Sequence, residues 1–231
     1  MIYNRIVEGK FIRRSNRFVA EVEIAGIRET IHVKNTGRCR ELLLPGVEVF
    51  LEKADNPERK TPYDLIAVQK ERPGKSPLLI NMDSQIPNAV AQEWLQKSGL
   101  FSSTAVFKRE VTHNNSRFDL FVTDGKRKVF IEVKGVTLEN NGQALFPDAP
   151  TLRGVKHLQE LTRALEEGFE AWVFFVIQMK EIKTFSPNDA MHPEFGAALR
   201  RAASAGVRIL ALDCQITPDS IRADAPVMVK L

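Results

Sequence analysis

The sequence predicts an α/β chain, α+β in overall arrangement, made of a small all-β barrel over residues 1–80 and a mixed-sheet α/β domain over 81–231. Three observations predict it. Short alternating apolar runs crowd the first 80 residues without a helical stripe between them. Beyond Asn88, helical stripes and strands interleave. Ala171–Ile177 is an unbroken apolar run between two helical segments, which suits a strand buried on both faces.

In the first unit, Phe18, Ala20, Val22 and Ile24 alternate with Arg17, Val19, Glu21 and Glu23, and Ala25-Gly26 supplies a turn. A second strand fits Ile27–Lys34. A third fits Val47–Glu52 after Pro45-Gly46, and strand character resumes over Asp64–Lys70. Several short strands in about 70 residues suit a small barrel, of which an OB-like fold is one option. Arg72-Pro73-Gly74-Lys75-Ser76-Pro77 reads as a linker.

In the second unit, Asn88 is placed to cap a helix reaching Ser98, with Gly99 as its stop. Strands fit Ala105–Val111, Arg117–Thr123 and Lys128–Val133. Thr151 caps a helix whose stripe is Val155, Leu158, Leu161 and Leu165, ended by Gly168. Pro193 opens a last helix that stops at Gly206, and Val207–Leu212 reads as a further strand.

Composition narrows the function classes. Hydrophobic and charged contents of 43% and 27% are ordinary for a globular chain. No apolar run reaches the ~18–20 residues of a membrane span, and charge interrupts the start too early for a signal peptide. Cys39 and Cys214 are too few for a disulfide framework, so a reducing cytoplasm is expected. The net charge of +4 is uneven: 15 Lys+Arg against 11 Asp+Glu through Ile80, then 18 against 18. That asymmetry points to a polyanion engaged by the first unit, with a solvated basic face as the competing reading.

The chemistry concentrates at Asp119 and Glu132-Val133-Lys134. Side chains alternate along a strand, so Glu132 and Lys134 share a face. Asp124-Gly125 favours a hairpin that returns Glu132 towards Asp119. Two carboxylates can hold a hard divalent cation, and an adjacent lysine can position a water, a set suited to phosphodiester cleavage. The plain alternative is a cross-strand ion pair worth roughly 0.2–1 kcal/mol.

The order helix, three strands, helix, strand, helix, strand, with the acids on the second and third strands, resembles the restriction-endonuclease-like core known by its PD-(D/E)xK motif. Phe118 stands where that motif has proline. The flanks carry a closer resemblance. Ser116-Arg117-Phe118-Asp119, Ile131 to Leu138, Phe146-Pro147-Asp148-Ala149-Pro150-Thr151, Arg153-Gly154 and Lys156-His157-Leu158 resemble the sugar fermentation stimulation protein family. His32-Val33-Lys34-Asn35-Thr36-Gly37-Arg38, Glu41-Leu42 and Gln85-Ile86-Pro87-Asn88 fit the same family. The resemblance implies an OB-like domain joined to a nuclease-like domain, and DNA/RNA nuclease activity.

The residue roles follow as expectations. Asp119 and Glu132, with the Val133 carbonyl, bind Mg²⁺ or Mn²⁺, and Lys134 orients water or offsets transition-state charge. Glu93 and Glu110 are auxiliary acid candidates, each with a surface ion pair as its alternative. Arg153, Lys156 and His157 sit at a helix start that favours phosphate, although His157 is equally a core neighbour of Leu158. Asp148 reads as a turn residue. Arg13, Arg14, Arg17, Lys34, Arg38 and Arg40 are candidates for tracking a nucleic-acid backbone, and Phe11 and Phe18 for stacking on bases, with core packing the expected role of Phe18. The partners are then DNA, RNA or both, with no membrane; the oligomeric state stays open, a homodimer included. A non-catalytic DNA-binding regulator of sugar (maltose-type) metabolism genes is the competing function, weakened by the lack of a helix-turn-helix pattern.

Overall fold

The computed structural model describes residues 1–35 and 37–231. The first domain contains β1 (Ile6–Arg14), β2 (Val19–Ile24), β3 (Ile27–Val33), β4 (Glu48–Lys53), β5 (Tyr63–Arg72) and β6 (Lys75–Asn81). β1 is bent by a bulge between Phe11 and Arg13 and pairs with both β2 and β4. β3 pairs with β5, and β5 with β4, so β1 to β5 close into a five-stranded barrel of OB type. β6 adds to β5 outside that ring.

The expected linker at residues 72–77 is a hairpin instead. Arg72 faces Lys75 across Pro73-Gly74, with Gly74 at φ +71°, so a proline–glycine pair that reads as a break serves as a strand turn. β6 then leads into the second domain, where the Asn81 N–H donates to the Gln178 carbonyl at 2.9 Å. Phe11 and Phe18 exchange their expected places. Phe11 is buried in the barrel, whereas Phe18 precedes β2 in a bend and is 50% exposed.

The second domain contains α1 (Pro87–Lys97), β7 (Val106–His113), β8 (Ser116–Asp124), β9 (Arg127–Val136), β10 (Leu138–Asn140), β11 (Gln143–Phe146), α2 (Leu152–Glu166), β12 (Glu170–Ile177), β13 (Thr184–Pro187), α3 (Pro193–Ala205), β14 (Arg208–Thr217), β15 (Ser220–Pro226) and β16 (Met228–Val229). Its main sheet runs β15-β14-β12-β9-β8-β7. The β7-β8-β9 meander is antiparallel, while β9, β12 and β14 are parallel. β12 alternates as the apolar run requires. Trp172, Phe174 and Val176 pack with Val90, Ala91 and Leu95 of α1. Val173, Phe175 and Ile177 pack with Leu158 and Leu161 of α2 and Phe195 of α3.

Asn88 does not cap α1. Ile86 occupies the N-cap position without a side-chain cap, and Pro87 opens the helix with its fixed φ. Thr151 does cap α2, accepting from the Gly154 N–H at 3.0 Å. The strand over Val207–Leu212 is longer than expected, and β15 returns antiparallel to it. β10, β11, β13 and β16 form a separate small sheet. Among the described residues, no helix is long and apolar enough to cross a membrane.

Candidate active site

The β8–β9 hairpin turns at Gly125 (φ +60°), with Asp124 opposite Arg127. Its register pairs Leu120 with Ile131, so Asp119 comes opposite Glu132 at the next position. The Val133 N–H donates to Asp119 Oδ2 at 2.8 Å. Asn88, in the first turn of α1, donates to Asp119 Oδ1 at 2.9 Å. The asparagine that the sequence suggests as a helix cap therefore holds a carboxylate.

Glu132 is buried, 2% exposed. Lys134 Nζ donates to its Oε1, and His157 reaches the same oxygen through Nδ1. Arg153 Nε faces His157 Nε2 at 3.4 Å, so Nε2 accepts and Nδ1 carries the proton towards Glu132. Glu132 Oε2 has no hydrogen-bond partner. A buried carboxylate oxygen without a partner is costly, and such a group calls for an explanation such as an ion or water.

The two carboxyls are driven apart electrostatically. Burial and the neighbouring Glu132 push the Asp119 carboxyl above the ordinary range, against the pull of the Val133 N–H, Lys134 and Asn88. At Glu132 burial acts in the same direction, but Lys134 and His157 outweigh it and hold the carboxyl below that range. The neighbours of Glu132 thus favour its charged form, and a cation placed between the two acids would favour the charged form of Asp119 as well.

Both acids line a cavity of about 370 Å³ with Asn88, Val133, Lys134 and Arg153. Among the described residues, no group of three or more His, Cys, Asp or Glu side chains is placed to hold a metal. The donor set nevertheless fits a small hard cation. Magnesium commonly takes one or two carboxylates and fills its remaining positions with water and substrate phosphate oxygens. The free Glu132 Oε2 and the ionised pair meet that description. Val133 lines the cavity, and its N–H is committed to Asp119.

The auxiliary acids lie elsewhere. Glu93 pairs with the amino terminus at 3.3 Å and with Lys97 at 2.8 Å on the outer face of α1. Glu110 is exposed and pairs with Arg117 at 3.3 Å. Each acid has a cation within reach on its own element or the next strand, and neither lines the cavity of Asp119 and Glu132. Asp148 lies at the domain junction, where it lines a cavity with Asn35, Gly37 and Gln178.

The basic candidates divide. Arg153 reaches the cavity of the two acids, His157 is buried behind it, and Lys156 is exposed on α2 outside the residues that line it. Lys34 is no surface cation: it lies 3.5 Å from both Asp64 and Asp83 and 3.8 Å from Glu52. Arg13 is paired with Glu21. Arg14 is partly buried and donates to the carbonyls of Arg17, Asn35, Gly37 and Arg38. Arg17, Arg38 and Arg40 line an open cavity of about 410 Å³. The sequence motif around Asn35 includes Thr36, which lies outside the described residues.

Comparison with known proteins finds two family models along the chain. Residues 85–220 match the family model described as "Sugar fermentation stimulation protein RE domain". Residues 12–76 match "SfsA N-terminal OB domain". A sugar fermentation stimulation protein homolog of Desulfitobacterium hafniense (strain DSM 10664 / DCB-2) is 58% identical over 231 residues, covering 100% of this chain and 99% of the relative. One from Clostridium beijerinckii is 54% identical over 221 residues, covering 96% of each. The solved structure of Pyrococcus furiosus SfsA in complex with Ca²⁺ superposes with a TM-score of 0.87 at 27% identity, covering 100% of this chain and 98% of that one.

Proposed function

Because the chain belongs to the sugar fermentation stimulation protein (SfsA) family, with its OB and RE domains both present, we propose that it is a nucleic-acid-binding, divalent-metal-dependent nuclease that hydrolyses phosphodiester bonds. The observation that carries this reading is Glu132 Oε2, a buried carboxylate oxygen without a partner beside Asp119. The relative from Pyrococcus furiosus was solved with Ca²⁺, a hard oxygen-seeking cation of the same class. Mg²⁺ or Mn²⁺ is the expected working ion. When bound, it supplies Lewis-acid polarisation of a phosphate oxygen and a more acidic water.

The remaining roles belong to the chain. Asn88 and the Val133 N–H fix the two oxygens of Asp119. His157 and Lys134 fix Glu132 Oε1, which leaves Oε2 without a partner and available to hold the cation. Lys134 is 17% exposed on the wall of the cavity, and its role is to offset the negative charge that grows on the attacked phosphate. Arg153, at the exposed start of α2, grips the substrate phosphate and meets His157 from behind.

The test incubates wild type, Glu132→Gln and Lys134→Ala with labelled single- and double-stranded DNA and RNA, with Mg²⁺ or Mn²⁺ and with EDTA. Wild type cuts at least one substrate in metal only. Glu132→Gln is silent. Lys134→Ala loses cleavage but keeps nucleic-acid affinity within a few-fold. Wild-type inactivity on every substrate with both metals, alongside salt-sensitive binding, would replace the enzyme by a non-catalytic regulator.

A further inference from the structure

Many first-domain cations are spent on ion pairs, among them Arg13, Lys34, Arg59, Lys70 and Arg72. Arg17, Arg38 and Arg40 differ. They are exposed, carry no ion pair among the described residues, and share one cavity. Arg14 builds that cavity. Its guanidinium bonds the carbonyls of Arg17, Asn35, Gly37 and Arg38 at 2.5 to 2.8 Å, tying together two loops that present the three free arginines.

Gly37 also borders a second cavity of about 170 Å³ between the domains, lined by Asn35, Ser84, Thr137, Asp148 and Gln178. Ser84 and Gly135 border this cavity and the one holding Asp119 and Glu132. Shared lining residues thus link three cavities in a row, from the free arginines through Gly37 to a small middle cavity, and through Ser84 and Gly135 to the paired carboxylates.

We propose that this row is a track for one unpaired strand of nucleic acid, which gives the nuclease reading its substrate class and rests on that reading. The arginines take phosphates. The middle cavity has hydrogen-bonding groups and the Asp148 carboxylate but no cation, so it suits the amino and hydroxyl groups of a base or sugar and rejects phosphate. Phe18, half exposed and next to Arg17 in the chain, offers a stacking face that only an unpaired base can use.

The experiment titrates labelled single strands of increasing length, and matched duplexes, as DNA and as RNA, by fluorescence anisotropy in EDTA. Wild type is compared with Phe18→Ala and with an Arg38→Ala/Arg40→Ala double variant; all three positions are exposed, and a melt confirms folding. Single-strand affinity should rise with length and level off, with duplexes at least ~10-fold weaker. The arginine variant should flatten the slope of log K against log salt by about 1.4, at about 0.7 for each lost phosphate contact. Phe18→Ala should weaken long strands by about 5-fold or more. Duplexes binding as tightly as single strands, or an unchanged salt slope in the arginine variant, overturns the track. Length-dependent single-strand binding by a protein that cuts nothing after Mg²⁺ or Mn²⁺ is added supports the track and removes the nuclease reading alone.

Discussion

Replacing Asn88 by alanine isolates one contact at the candidate active site. The side chain makes no cap for α1, so the helix loses nothing there, and alanine is the better helix former. What is lost is the 2.9 Å hydrogen bond to Asp119 Oδ1 in a half-buried setting. A hydrogen bond to a charged group is worth about 1.5–3 kcal/mol net. That loss falls on the ionised carboxylate, the form a cation needs, because Asn88 is among the groups that pull the raised Asp119 pKa back down. At 1.4 kcal/mol per factor of ten, divalent-cation affinity should drop about 10- to 150-fold. Loss of a partner that orients a metal ligand typically costs 10–100-fold, the same range. Titration calorimetry with Mn²⁺ and with Ca²⁺ at neutral pH measures this without any cleavage assay, and a thermal melt checks that the variant folds. A folded Asn88→Ala protein that binds both ions within about twofold of wild type would refute the idea that α1 sets the carboxylate.

Two further perturbations test the framework. Asp64 ties β5 to β3 through His32 at 2.9 Å and also pairs with Arg59 at 2.8 Å. Burial opposes its charge, but Arg59, His32 and Lys34 outweigh it and lower its pKa from 3.8 to about 2. A lowered carboxylate stabilises the fold above its unfolded pKa and loses that contribution as pH falls towards its folded one. Asp64→Asn should therefore cost about 2 kcal/mol at pH 7, with the difference from wild type shrinking between pH 4 and pH 2 in urea titrations; a pH-independent difference would contradict the linkage. Gly135→Ala would place a Cβ 2.5 Å from Gln178 Oε1 and 2.8 Å from Pro87 Cγ, in a crowded junction. It should destabilise by about 1–3 kcal/mol, seen as a lower midpoint in a denaturant titration, and a neutral result would mean that the junction yields easily.

The acid pair was legible because its cause is local. Alternation fixes the shared face of Glu132 and Lys134, and the Asp124-Gly125 turn fixes the return of Asp119, so a short stretch of sequence contains the geometry. The Thr151 cap and the doubly buried β12 are legible for the same reason. Lys34 reads as a free cation because its partners, Asp64 on β5 and Asp83 in the segment after β6, lie far away in sequence, and no local pattern announces them. Arg14 likewise reads as surface charge until the loops fold over it. β1 escapes notice because Gly9 and a bulge interrupt its alternation, and β10, β11, β13 and β16 are too short, at two to four residues, to show any period. Phe18 and Phe11 were exchanged because burial depends on where β2 begins, and a bend before Val19 turns Phe18 outwards.

β9 lies between β8 and β12, paired with β8 from Arg127 to Ile131 and with β12 from Val129 to Val136, and carries Glu132 and Lys134 just beyond its β8 pairing. Opening it would disrupt the main sheet and its packing on both faces, at a cost close to that of unfolding the domain. The amides of Val129 to Ile131, paired on both sides, should accordingly be among the slowest in the chain to exchange with solvent. Ions and substrate then come and go across a backbone that stays shut, through side-chain movements on the picosecond-to-nanosecond scale.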